Sequence, residues 1–174
     1  MKISDLTKIS LFITLMIVGA FIKIPFPFIE ITLQSFFAIL AGLMLGHKKG
    51  FMVTFLYMVI GLIGIPIFAR GGGIYYVLTP SFGFILSFIP ASFISGYLYH
   101  IKKTSKYIAA IIGVFVIYII GAPYMYLILT IYKGTDMVFI SLMISFIPYF
   151  IKDIFLSIFG AYVLKYLNPL ITAF

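Results

Sequence analysis

The chain has 174 residues, 64% of them hydrophobic and only 9% charged, and its mean hydropathy is +1.25. A soluble domain of this length cannot bury that much apolar surface, so lipid is the solvent for most of it. The formal charge of +8 would suggest nucleic acid in a soluble protein, but its placement gives a different account below. Cysteine is absent, which excludes disulfides and thiol chemistry. Only helices and closed barrels can span a bilayer. The apolar runs are long and continuous, without the alternation at about ten-residue spacing that marks a barrel, and this leaves an all-α integral membrane protein.

Charge, glycine and proline divide the chain into six predicted spans within a single membrane domain, 1–174, each near the roughly 20 residues a bilayer needs. The first, about 7–24, runs into Lys23-Ile-Pro25 without a small-x-small cleavage site, so a retained helix is expected rather than a signal peptide. Near its start Ser10 and Thr14 stand four residues apart, a small face that suits internal packing or the helix of another protein. The second span, 31–45, ends at Gly46-His-Lys-Lys-Gly50, and the third covers 51–68. The fourth, 80–100, carries Gly83, Ser87, Ala91 and Ser95 at four-residue spacing, a smooth stripe for packing inside the bundle. The fifth covers 107–131. A short interfacial helix is predicted from Met137 to Phe146, and Pro148, a good first helical residue, opens the sixth span, 148–167.

The lysines distribute unevenly among the connections. One side receives Lys2, Lys8, Lys48, Lys49, Lys102, Lys103, Lys106 and Lys165; the other receives Lys23, Arg70 and Lys133, offset by Glu30 and Asp136. Positive residues favour the cytoplasmic side, so both termini and the lysine-rich connections are expected there, and the Arg70 loop outside. His47 and His100 lie among those lysines and are expected to be solvated or to face headgroups; no metal site is expected.

The segment from Phe68 to Gly83 holds the only arginine, Arg70, and the run Gly71, Gly72, Gly73. Irregular backbone near bilayer depth is tolerated where protein covers it or where it lines a cavity. An arginine there calls for an anionic or polar answer, and glycine lets backbone approach a ligand closely. The reading is a binding floor for a small molecule with a negative end. From the sixth span comes a second polar set: Ser145, Tyr149, Asp153 and Ser157 recur every four residues and should share a helix face. Asp153 is the only acid inside a predicted span, and such a residue is functional by default. Lys152 adjoins it, but neighbours on a helix point about 100° apart, so a poor mutual ion pair is expected. Asp153 should pair instead with Arg70 or a tyrosine. Neither the nucleophile and metal motifs of hydrolases nor a phosphate-binding loop occurs. Four widely separated acids leave little for acid–base catalysis, so no enzyme is expected.

These residues resemble the BioY family, the biotin-binding S components of energy-coupling factor (ECF) transporters. The likeness is carried by Val18-Gly-Ala-Phe-Ile-Lys-Ile-Pro25, Ile31-Thr-Leu-Gln34, Ala41-Gly-Leu-Met-Leu-Gly46 and Tyr57-Met-Val-Ile-Gly-Leu-Ile-Gly-Ile-Pro66, then Gly71-Gly-Gly-Ile-Tyr-Tyr76 and Pro80-Ser-Phe-Gly-Phe84. It extends over nearly the whole chain. It implies a six-helix S component with its vitamin pocket facing outward and biotin as the transported ligand, without a cofactor. It further implies a partner module of one transmembrane coupling protein and two ATPases in a bacterial cytoplasmic membrane. Family members dock that module through small residues on the first helix, here Ser10 and Thr14. Where the family's sixth span reads Gly-Asp-x-x-Lys, this chain has Lys152, Asp153 and Leu156, so the expected lysine is missing and Arg70 or Lys152 is left to meet the carboxylate. Ligand-binding residues are thus expected at Arg70, Gly71, Gly72, Gly73, Tyr76, Phe82, Gly83, Tyr149, Lys152 and Asp153. A stand-alone carrier and an S component for another small anionic vitamin are the alternatives.

Overall fold

Helices dominate the computed structural model, which describes residues 3–25, 30–136 and 138–172, with side chains described to residue 167. The Pro25-to-Glu30 loop and the start of the predicted interfacial helix at Met137 lie partly outside the described residues. In chain order come α1 (Ile3–Phe21), a two-stranded hairpin β1 (Lys23–Ile24) and β2 (Ile31–Thr32), α2 (Gln34–Leu45), α3 (His47–Leu62), a 3-10 turn (Ile74–Leu78) and α4 (Phe82–His100). Then follow α5 (Lys106–Leu127), which continues into a wide turn at Ile128–Tyr132, α6 (Phe139–Ser145) and α7 (Ile147–Thr172).

Among the described residues, four helical stretches have the length and hydropathy to cross a bilayer: Ile3–Phe21, Phe82–His100, Lys106–Tyr132 and Ile147–Leu167. The helices in the second and third predicted spans are shorter, at 12 and 16 residues, or about 18 and 24 Å at 1.5 Å per residue. Both boundaries move for physical reasons. Ile31 and Thr32 pair with β1 instead of starting α2, and α3 takes in the basic stretch from His47 but ends at Leu62. The chain beyond Leu62 folds back, so that the Phe68 ring packs over Gly61, where a side chain would collide with it. Only Gly46 separates α2 from α3.

At the centre lies α4, against α2, α3 and α5, while α7 packs on α5 and α2, and α1 on α2 and α3. The small stripe makes this possible. Ser87, Ala91, Ser92 and Ser95 are fully buried, and a side chain on Gly42 would strike the Ser92 backbone and the Ser95 hydroxyl. Close approach of this kind replaces the hydrophobic drive that lipid cannot supply between helices. Outward faces remain apolar, as at Ile119 (68% exposed) and Phe155 (70% exposed).

At the lysine-rich end, Lys49 bonds Asp5 and ties α3 to α1. His100 is not simply solvated: its Nε2 contacts the Leu43 carbonyl at 2.8 Å, while His47 meets the edges of Phe93 and Tyr97.

Candidate functional site

At the hairpin end of the bundle a polar cavity opens between the α1–α2 connection, the α3–α4 loop and α4, α5 and α7. The hairpin and the start of α2 supply Glu30, Thr32, Gln34 and Ser35; the loop supplies Ala69, Tyr76 and Ser81. Phe84, Ile85 and Phe88 of α4 form an apolar wall with Ile117 of α5, and Tyr118, Tyr149, Lys152 and Asp153 complete the lining. Its volume is small, about 50 Å³, room for a few waters.

Asp153 is the polar centre of the cavity. It is 5% exposed and accepts hydrogen bonds from Ser35 Oγ and from Tyr118 Oη at 2.7 Å. Contrary to the expectation from helix geometry, Lys152 Nζ pairs with it at 2.6 Å. The four-carbon lysine stem spans the angular offset between adjacent residues, and the Thr32 carbonyl, 2.7 Å from Nζ, holds the ammonium on that side. Its full set of partners explains how a carboxylate survives burial here. Of the two partners expected, Arg70 or a tyrosine, Asp153 takes a tyrosine, Tyr118, which the sequence alone did not single out.

Arg70 goes elsewhere. Its Nε bonds Glu30 Oε1 at 2.5 Å, joining the α3–α4 loop to the β2 lead-in. Nearby, Lys23 Nζ donates to the Ala69 carbonyl at 2.6 Å. Glu30 lines the cavity and Arg70 does not; the Arg70 side chain is 45% exposed and that of Glu30 14%, so the guanidinium reaches the cavity only through its acid partner. The neighbouring glycines build the loop. Gly71 and Gly73 have φ of 117° and 103°, which favours glycine. A side chain on Gly72 would strike the Ile65 and Gly61 carbonyls, and Gly73 N–H caps Gly61 O at 2.7 Å. None of the three lines the cavity; they fold the chain so that Ala69 and Tyr76 do.

Two further expected residues lie outside the lining. Phe82 is buried with its ring 6.0 Å from that of Tyr124, and Gly83 admits the same Tyr124 side chain; Phe84 forms the aromatic wall in their place. Tyr76 does line the cavity, and burial pushes its phenol above the ordinary value, against the pull of the Ser81 hydroxyl. It stays a neutral hydroxyl across physiological pH. Tyr149 and Ser157 share the buried face with Asp153 as expected. Ser145 does not, because the chain breaks at Phe146 and its hydroxyl turns to Leu142 O.

Sequence reasoning missed Glu30, Thr32, Gln34, Ser35 and Tyr118. One signal was available: Glu30, Thr32 and Gln34 alternate just ahead of an apolar run, the period that puts side chains on one side of an extended strand. Behind them Gln34 Nε2 donates to Tyr57 Oη at 2.5 Å, and Tyr57 donates to the Ile67 carbonyl. This tethers the start of α2 to the α3–α4 loop. Tyr118 sits in a uniformly apolar run, which gives no such signal.

Comparison with known proteins agrees with this architecture. A probable biotin transporter BioY of Lysinibacillus sphaericus is 42% identical over 132 residues, 74% of this chain and 67% of that protein. A second, from Pyrococcus horikoshii, is 37% identical over 155 residues, covering 88% and 90%. Among solved structures, the S-component for biotin from an ECF-type ABC transporter shares the fold, with a TM-score of 0.74 over 95% of this chain and 90% of that one, at 21% identity. The family model described as the BioY family matches residues 1–173, and the chain therefore belongs to the BioY family.

Proposed function

We propose that this protein is a biotin-binding S component, capturing biotin outside the cell for uptake driven by a partner module of one transmembrane coupling protein and two ATPases. The observation that carries the reading is the buried carboxylate of Asp153, surrounded by Ser35, Tyr118 and Lys152 in one cavity. A ureido ring offers N–H donors to a carboxylate and a carbonyl to hydroxyl or ammonium donors. Phe84, Ile85, Phe88 and Ile117 suit the thioether ring and aliphatic chain, in keeping with the general mix of apolar walls and few polar groups.

The ligand's own carboxylate needs a cation away from Asp153. Both cations near the cavity carry an acid partner, but Lys152 is held inward between Asp153 and the Thr32 carbonyl, whereas the Arg70 side chain is 45% exposed. Arg70, next to Ala69, is therefore the more accessible anchor, with Gly71, Gly72 and Gly73 shaping its loop. About 50 Å³ is small beside the ~300–1,000 Å³ of typical ligand pockets. Entry therefore requires the hairpin and the α3–α4 loop to part.

Orientation follows from charge: the lysine-rich end is cytoplasmic, both termini lie there, and the cavity opens outward. Six helices cross a bacterial cytoplasmic membrane in this reading, with α2 and α3 kept short by the loops that cover the site. Docking falls to Ser10 and Thr14. Calorimetric titration of the purified chain against a vitamin panel tests the ligand. Saturable binding of biotin alone is the expected result; preference for another vitamin, or no binding, removes biotin. Arg70→Ala should weaken biotin much more than biotin amide, and equal losses would take Arg70 off the carboxylate.

A further inference from the structure

Among the described residues, each cation beside the cavity has an acceptor. Lys152 is held by Asp153 and the Thr32 carbonyl, Lys23 by the Ala69 carbonyl, and Arg70 by Glu30. Of the charged side chains that line the cavity, two are acids, Glu30 and Asp153, and one is basic, Lys152. An anionic ligand thus meets a lining of net negative charge, and the guanidinium beside it is already neutralised, because Glu30 holds its Nε. A ligand carboxylate arriving at the remaining N–H donors meets an ion pair rather than a lone cation.

We propose that Glu30 is a specificity-determining residue, a built-in competitor that neutralises Arg70 and weakens its hold on the ligand's carboxylate. The inference rests on the biotin reading above and deepens it. Glu30 reaches Arg70 from the β2 lead-in, across a 40-residue separation in sequence, so the same pair holds the hairpin to the α3–α4 loop. A ligand carboxylate that joins Arg70 shares the guanidinium with Glu30 or displaces it, and either way it gains less than a lone cation would give. A neutral ligand is indifferent to this competition. Glu30 therefore lowers affinity for acids in general and confines tight binding to those whose remaining contacts at Asp153 and the apolar wall outweigh it.

The test is titration of wild type, Glu30→Gln, Arg70→Gln and the double variant with biotin and with biotin amide. Glu30→Gln should bind biotin about two- to fivefold more tightly, the size expected of a half-exposed ion pair, with the amide unchanged. In the Arg70→Gln background the same substitution should give no such gain, because the competition has lost its object. Unchanged or weaker biotin binding by Glu30→Gln, or a gain that persists without Arg70, overturns the proposal. Should Glu30→Gln fail to fold, Glu30→Asp decides: a carboxylate one carbon shorter holds Arg70 less well, so biotin should bind more tightly with the amide unchanged, and unchanged or weaker biotin binding overturns the proposal. A wild type that binds biotin while these arms fail sinks the competition alone; a wild type that binds neither compound sinks the biotin reading itself.

Discussion

Asp153 tolerates burial because three donors reach it, Ser35, Tyr118 and Lys152, and removing its charge should be felt by the ligand and by Lys152 alike. We expect Asp153→Asn to weaken biotin binding at least about tenfold, or 1.4 kcal/mol, since an asparagine cannot accept on both oxygens. Unchanged affinity in a calorimetric titration would place Asp153 outside the binding contacts. Tyr118→Phe isolates one donor. A hydrogen bond to a charged group contributes about 1.5–3 kcal/mol, so this variant should lower the thermal midpoint and lose biotin affinity as well; a fall in the midpoint with affinity unchanged would make Tyr118 purely structural. The sequence identified Asp153 as the polar centre because an acid inside an apolar run has few explanations. It misjudged the ion pair because helical wheel angles describe Cβ directions, and a lysine ammonium sits four bonds beyond its own.

At the scale of elements, the small residues of α4 determine how closely its neighbours pack. Gly42 on α2 faces the Ser92 carbonyl and Ser95 Oγ, and Gly96 faces the Gly42 carbonyl, so the two helices touch backbone to backbone. Gly42→Val should separate them, at a cost of about 1–3 kcal/mol or more. A fall of several degrees in the thermal midpoint in detergent is expected, while Ile119→Val, on an exposed face, should leave it in place. Equal midpoints would show that the contact carries little stability. The packing stripe was legible because four-residue spacing is a local property of one helix. The ends of α2 and α3 were not, since strand pairing at Ile31 and the fold-back of Phe68 onto Gly61 depend on residues distant in sequence. For the same reason the glycine run read as a ligand floor, whereas Gly72 is pressed against the end of α3.

For the whole molecule, the open question is which surfaces are covered by lipid and which by protein. Most exposed faces carry large side chains, as on α7 at Phe155. On α1, Ser10 and Thr14 are exposed, and Thr14 Oγ1 donates to the Ser10 carbonyl at 3.0 Å, so the face is small and its threonine hydroxyl is already satisfied. Lipid has no use for smoothness, whereas a second helix does, because small residues admit close approach in a bilayer. The site lies at the other end of the bundle from the Asp5–Lys49 contact between α1 and α3, so binding and docking should separate cleanly. Thr14→Trp is expected to abolish co-purification with the coupling protein and ATPases while leaving biotin affinity unchanged. Phe155→Trp, also at an exposed position but on α7, should leave the complex intact, which guards against a general effect of tryptophan in the membrane. If the complex survives Thr14→Trp with full transport, the partner engages another face, and the small stripe of α1 is merely tolerated by lipid. If ligand binding falls together with docking, α1 is coupled to the cavity through the hairpin that follows it, and capture and energising share one element.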